Sequence, residues 1–213
     1  MNIHKNMTNE EVNELVKKYF DAEGYKFPGH FEHRVDPDSS AVMYSMIREY
    51  KPKVGLQIGT WKGGSVSSNM AAFIKNEQPF TYVASELHDD LSKETEFNCT
   101  HINGQAPTMI GDITKNLDKV PKELDFLFHD SDHDHKTTVW VFRHIIPRLK
   151  KGALVIFHDW AVKEEGGKWI PKDGAWEETK YMVRLHKRHR LPFEKVYWNY
   201  KNPGDWELGV FLR

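Results

Sequence analysis

Five short apolar runs between residues 54 and 157, each closing on a polar group, constrain this chain more than any other feature. Val54-Gly55-Leu56-Gln57-Ile58 is followed by a glycine turn, and Phe80-Thr81-Tyr82-Val83-Ala84-Ser85 by Glu86. Thr108-Met109-Ile110 leads to Gly111-Asp112, Leu124-Asp125-Phe126-Leu127-Phe128-His129 to Asp130, and Ala153-Leu154-Val155-Ile156-Phe157 to His158-Asp159. Runs this short and continuously apolar suit strands buried on both faces. Helical spacing over Ser65–Lys75 and Lys136–Leu149 separates some of them, so βαβ units with right-handed crossovers and a parallel sheet follow.

The flanks complete one domain. Thr8…Glu11 has the form of a capping box, and Val12, Leu15, Val16, Tyr19 and Phe20 repeat at helical spacing over residues 8–20. Residues 24–38 read as a loop, and Ser39–Tyr50 as a helix that stops before Pro52. The expectation is an N-terminal helical cap over residues 1–51 on a core over 52–213. After Trp160 comes the insertion Glu164-Glu165-Gly166-Gly167-Lys168-Trp169, then a helix over Gly174–His189. Phe193–Tyr200 and Trp206–Leu212, joined by Asn202-Pro203-Gly204-Asp205, read as an antiparallel hairpin at the sheet edge.

Composition excludes several classes of function. A net charge of -1 gives no global field for nucleic acid or anionic lipid. The basic residues from Lys180 to Arg190 read as a solvated helix face. A single cysteine, Cys99, allows no intrachain disulfide and fits a reducing compartment. No apolar stretch approaches a membrane span and no signal peptide opens the chain, so a cytoplasmic location is expected.

Ligands of open parallel sheets bind beyond the carboxyl ends of the strands, and there the polar groups of this chain gather. Gly59-Thr60-Trp61-Lys62-Gly63-Gly64-Ser65 brings backbone amides to a helix N-terminus. It is neither a phosphate loop, because Lys62 precedes the paired glycines, nor Gly-x-Gly-x-x-Gly, because Trp61 stands in the way. Glu86 lies about one βα unit further on, where a carboxylate can accept from both hydroxyls of a ribose. A solvated acid beside Asp89 and Asp90 is the bland alternative.

In order and spacing these pieces resemble the class I S-adenosylmethionine-dependent methyltransferases over about Pro52–Leu212, nearest to small-molecule O-methyltransferases and the cephalosporin-hydroxylase-like group. The resemblance rests on Ile58-Gly59-Thr60-x-x-Gly63-Gly64-Ser65, Glu86, Gly111-Asp112, the run Asp125 to His133 and the run Leu149 to Trp160. It implies a Rossmann-like, doubly wound, mostly parallel seven-stranded α/β sheet. Carried over by position, Gly59, Thr60 and Ser65 would line the methionine part of S-adenosylmethionine, with Gln57 and Gly63 also among the cofactor-binding residues, while Glu86 would hold the ribose, Asp112 would sit beside the adenine, and Asp130 would close the pocket near the sulfonium. Gln57 stands where the family usually has an acid. Its amide can orient the turn but offers no charge to the cofactor's ammonium.

Metal-dependent relatives place an aspartate after the fourth strand and an Asp-Asn pair after the fifth. Asp130 and Asp159 match the aspartates, whereas Trp160 takes the asparagine position. A divalent cation, Mg or Mn, would therefore recruit His158, His133 or water. His133 aligns with the lysine base of those enzymes, so it is expected to serve as general base, oriented by Asp132 or Asp130. His129 and His135 read as loop residues. The stretch His30-Phe31-Glu32-His33 and the aromatic segment Trp160–Trp176 either roof a pocket for a flat acceptor, a sugar or phenol, or serve as core or homodimer contacts. The competing readings are a nicotinamide-type oxidoreductase, which leaves Asp130, His133 and His158-Asp159 unexplained, and a degenerate methyltransferase fold that only binds.

Overall fold

The computed structural model describes residues 6–26, 35–166, 168–198 and 208–213. Strands β1 (Val54–Ile58), β2 (Thr81–Ser85), β3 (Thr108–Met109), β4 (Leu124–His129) and β5 (Leu149–Phe157) pair in parallel. A small hairpin, β6 (Val162–Glu165) and β7 (Lys168–Pro171), forms its own two-stranded sheet. The last strands, β8 (Glu194–Trp198) and β9 (Gly209–Leu212), are antiparallel and join the edge of β5. The order β3-β2-β1-β4-β5-β9-β8 reverses direction between β1 and β4, which sets the switch point beside the ends of those two strands. The connecting turn 202–205 lies outside the described residues.

Helices cover both faces, which is why the strands read as unbroken apolar runs. Alternate residues Phe126, Phe128, Leu154 and Ile156 face Met43, Ile47, Val66, Met70 and Phe73 of α2 (Pro37–Tyr50) and α3 (Gly64–Lys75). Their neighbours Leu127, Val155 and Phe157 face Val141 and Met182 of α5 (His135–His144) and α6 (Glu177–Lys187). Each such fully buried side chain contributes about 1.5–3 kcal/mol relative to exposure. The N-terminal helices share the first of these cores rather than forming a separate one.

Local chemistry explains the boundaries. The predicted capping box is present: Thr8 accepts from Glu11 N while Glu11 accepts from Thr8 N, opening α1 (Asn9–Val16), which runs on as a π-helical turn over Lys17–Asp21. Helix α2 begins two residues before the expected Ser39, because Asp36 caps Asp38 N and Ser39 N and Pro37 is harmless at the first helical position. The helix expected to reach Leu149 ends at His144, followed by a 3-10 turn over Ile146–Arg148 that accommodates Pro147.

Two elements carry no periodic signal and were not anticipated. Helix α4 (Asp89–Asn103) buries only Thr95 and Cys99, so its sequence is polar almost all round. The residues read as a bare insertion after Trp160 form the β6–β7 hairpin. No helix among the described residues is long and apolar enough to cross a membrane.

Candidate active site

At the switch point the β1–α3 turn is pressed against the loop after β4. Gly59 has φ +84°, and a Cβ there would lie 1.8 Å from the carbonyl oxygen of Asp130. Only glycine allows that approach, so the turn and Asp130 sit side by side. Gly63, at φ +90°, caps α3, with Thr95 of α4 close beneath it. Ser65 and Thr60 are both buried.

Gln57 organises this turn from below. It is 0% exposed. Its Nε2 donates to Gly59 O (3.0 Å) and Ser65 Oγ (2.7 Å), and its Oε1 accepts from Tyr82 OH (2.8 Å) and Asn69 Nδ2 (3.1 Å). All the amide's polar capacity is engaged inside the protein, which corrects the expectation that Gln57 binds cofactor directly. It is a scaffold for the turn, and the task needs a donor that a carboxylate lacks.

Glu86, at the end of β2, is buried and turned toward the same turn. Its Oε2 accepts from Thr60 N (3.1 Å), Thr60 Oγ1 (3.2 Å) and Trp61 N (3.0 Å), and its Oε1 accepts a longer bond from His88 N (3.3 Å). One carboxylate oxygen thus ties the mouths of β1 and β2 together. Asp112 caps its own loop through Thr114 N (2.9 Å), Thr114 Oγ1 (2.7 Å) and Lys115 Nζ (3.2 Å). These contacts hold its carboxyl below the ordinary carboxylate range, the Thr114 hydroxyl foremost.

Beyond β4 and β5 lies a buried cluster of three carboxylates and three imidazoles. His133 Nε2 lies 3.2 Å from Asp159 Oδ2 and 3.5 Å from Asp130 Oδ1, while its Nδ1 is hydrogen-bonded to Glu178 Oε2 (2.9 Å). His158 Nδ1 sits 2.9 Å from Asp159 Oδ1 and 3.2 Å from Asp130 Oδ1, and His129 Nδ1 lies 2.9 Å from Glu178 Oε1. The latter contacts are charge contacts rather than aligned hydrogen bonds. His133 (φ +55°) and Asp159 (φ +56°) both adopt left-handed backbone, which costs a non-glycine residue of order 1–3 kcal/mol and recurs at functional sites.

Burial opposes charge throughout the cluster, and the opposite charges win. Desolvation alone would lower the His133 pKa, yet Asp130, Asp159 and Glu178 push it up to about 12. Desolvation opposes the His158 charge too, and Asp130 and Asp159 raise it to about 10. Burial would raise the carboxyls, but Asp130 and Asp159, facing His133 and His158, and Glu178, facing His129 and His133, are all held below the ordinary carboxylate range.

One ligand atom from each of Asp130, His133 and Asp159 lies within 4.8 Å of the other two, close enough for the three to share one cation. Of the two histidines the sequence offered beside Asp130 and Asp159, His133 converges with both aspartates in this grouping, while His158 meets the same pair through Nδ1. The expectation for Asp132 is corrected. Its carboxylate is bound by Thr137 Oγ1 (3.0 Å), Ser131 Oγ (3.3 Å) and Asp134 N (3.4 Å), leaving Asp130, Asp159 and Glu178 to orient His133. His129 is the buried last residue of β4 rather than a loop residue, whereas His135 packs at the surface against Tyr181.

Glu178 was not identified from sequence, because an acid in the first turn of a charged helix reads as a solvated one. Trp176 caps the same helix, stacks on the His133 ring (5.5 Å, 24°) and is 45% exposed. Trp160 is core: it meets Phe211 and Trp169 edge-on, and Gly209 makes room for its ring. Residues 30–33, expected to roof the pocket, lie outside the described residues.

Comparison with known proteins gives the same frame. Residues 56–160 match the model of a methyltransferase domain family. The chain is similar to the O-methyltransferase from Bacillus cereus solved in complex with SAH, at 14% identity and a TM-score of 0.63, covering 97% of this chain and 92% of that one. It is also similar to TomG, an O-methyltransferase from Streptomyces achromogenes involved in tomaymycin synthesis and solved with SAM (13% identity, TM-score 0.62, 97% and 91% covered). A methyltransferase from Geobacter sulfurreducens gives 18% identity and a TM-score of 0.60, with 95% and 88% covered. No curated protein sequence matches the chain. At these identities the likeness is one of fold.

Proposed function

We propose that this chain, whose residues 56–160 match a methyltransferase domain family, is a methyltransferase that transfers the methyl group of S-adenosylmethionine to an oxygen of a small molecule with the help of a divalent cation. The observation that carries the proposal is the convergence of Asp130, His133 and Asp159 at the mouths of β4 and β5, with Asp130 against the Gly59 turn. Two carboxylates and one imidazole fit a mixed oxygen and nitrogen donor set, which suits Mn better than Mg. When bound, S-adenosylmethionine supplies an electrophilic methyl group, and a cation lowers the pKa of an acceptor hydroxyl.

The protein's own part is mainly positioning and charge. Glu86 would hold the ribose through Oε1 while Oε2 keeps the turn in place. Gly59, Thr60, Gly63 and Ser65 would face the methionine part, and Asp112 the adenine. Asp130 and Asp159 stay ionised, so they present negative charge to a cation or to the acceptor's proton. His158 neutralises them from behind.

The general-base role expected of His133 requires an Nε2 without its hydrogen. Between two carboxylates that hydrogen is strongly held, so without a cation the ring is an imidazolium that donates and does not accept. As a cation donor His133 would have to give up the same hydrogen, and a divalent cation held by Asp130 and Asp159 would compete for it, because cation binding and Nε2 protonation exclude one another. The exposed indole of Trp176 beside it offers an apolar wall to a ring-shaped acceptor, a sugar or a phenol.

The test has two arms. S-adenosylhomocysteine, and not NAD, should raise the melting temperature of the purified protein. Methyl transfer to catechol-like or sugar acceptors should disappear on chelation and return with Mn. Protection by NAD alone, or by neither nucleoside, overturns the cofactor assignment. Activity that survives exhaustive chelation removes the cation and leaves the acceptor's proton to the Asp130 and Asp159 carboxylates.

A further inference from the structure

We infer that Glu178 is a positioning residue of this site: it fixes the His133 ring with Nδ1 as donor and Nε2 turned toward Asp130 and Asp159. The inference deepens the proposed function and rests on the same cluster. Glu178 lies in the first turn of α6, beyond the β6–β7 hairpin, and is 2% exposed. Around it α6 buries Thr179, Met182 and Val183, a surface that a leucine or methionine would complete without charge. A buried carboxylate costs several kcal/mol unless it is well paired, so packing does not account for it.

Its two oxygens account for it. Oε2 is hydrogen-bonded to His133 Nδ1 at 2.9 Å, and Oε1 lies 2.9 Å from His129 Nδ1. An ionised carboxylate only accepts, so the hydrogen at His133 Nδ1 is assigned by its partner, and Nε2 is the atom left to face Asp130 and Asp159. The partner sits 45 residues away on a separate element. That element also supplies Trp176, whose indole stacks on the His133 ring and limits its tilt. Nδ1 is held from one side and the ring face from another, while the left-handed backbone at His133 sets where the side chain departs. An imidazole that carries a hydrogen bond on its second nitrogen is the usual support for a metal-bound histidine, and loss of that support typically costs 10–100-fold in affinity, on the order of 1.4–2.7 kcal/mol.

The experiment compares full-length wild type with Glu178→Gln and Glu178→Asp. Mn affinity is measured by electron paramagnetic resonance, S-adenosylhomocysteine affinity by calorimetry, and the His133 ring by NMR of ¹⁵N-histidine-labelled protein, with His133→Asn for assignment. Wild type should show a slowly exchanging His133 Nδ1–H. Glu178→Gln keeps the side-chain size but can accept from only one of its two imidazoles. It should lose or shift that resonance and bind Mn about 10–100-fold more weakly, with nucleoside affinity unchanged. Glu178→Asp keeps the charge but is one methylene shorter, and should fall between the two.

A wild-type His133 resonance in both variants overturns the inference. So does an equal loss of Mn and nucleoside binding, which would mark Glu178 as merely structural. A wild type that binds no Mn, yet loses the Nδ1–H on Glu178→Gln, supports the positioning role and removes the cation from the proposed function. The two failures are therefore distinct.

Discussion

Replacing Gln57 by glutamate restores the acid usual at this position in the enzymes the sequence resembles, and the structure says it should harm the protein. The Nε2 that would become an oxygen faces Gly59 O at 3.0 Å in a site with no solvent exposure. Ser65 can rotate its hydroxyl to donate, but the Gly59 carbonyl cannot. The new carboxyl must either ionise against that carbonyl or keep its proton. Keeping the proton at about pH 8 costs about 1.4 kcal/mol per unit over roughly 3.7 units above a model value near 4.3, an upper limit of about 5 kcal/mol.

Tyr82 OH, Asn69 Nδ2 and a reoriented Ser65 would relieve part of this, leaving about 2–4 kcal/mol. The sign is that of an acid whose folded pKa is raised. The penalty is absent below the unfolded pKa and grows as pH rises toward the folded one. At about pH 5.5 the same reasoning gives at most about 1.6 kcal/mol. Urea unfolding followed by tryptophan fluorescence at the two pH values measures the difference, and calorimetry reads S-adenosylhomocysteine affinity, which should fall. A Gln57→Glu protein as stable as wild type at pH 8, with tightened nucleoside binding, would refute the scaffold role of Gln57.

Two further outcomes follow from burial. Trp160→Asn, which supplies the side chain usual at this position in the metal-dependent enzymes the sequence resembles, should destabilise the fold by about 3–5 kcal/mol without improving Mn affinity, because it empties a core site beside Phe211 and Trp169. Chemical denaturation and Mn titration check it, and a stable variant with tighter Mn would place the indole outside the core. Cys99 is fully buried and burial pushes its thiol up to about 11, so iodoacetamide near neutral pH should leave the native protein unlabelled by mass spectrometry. Rapid native labelling would show that α4 opens readily.

The strands were legible because helices cover both faces of the sheet. Val54–Ile58 and Leu124–His129 fall where the apolar runs predict them. Helix α4 was not, because it buries only a threonine and a cysteine. The glycine turn and Glu86 could be located from order and spacing, yet the partners of Gln57 could not. They come from β2 and α3, and hydrogen bonding rather than charge decides what that position needs.

The sequence by itself therefore determined the α/β architecture, the mouth at which polar groups gather, and two of the three carboxylates of the cluster, Asp130 and Asp159. These follow from local periodicity and from residues at the ends of strands. Only the tertiary structure decided that the His133 and His158 rings both meet the two aspartates, that Glu178 stands behind His133, and that Trp160 belongs to the core. Those choices depend on which atoms meet across dozens of residues, and on burial strong enough to turn one carboxylate into an anchor while its neighbour Glu177 stays in solvent.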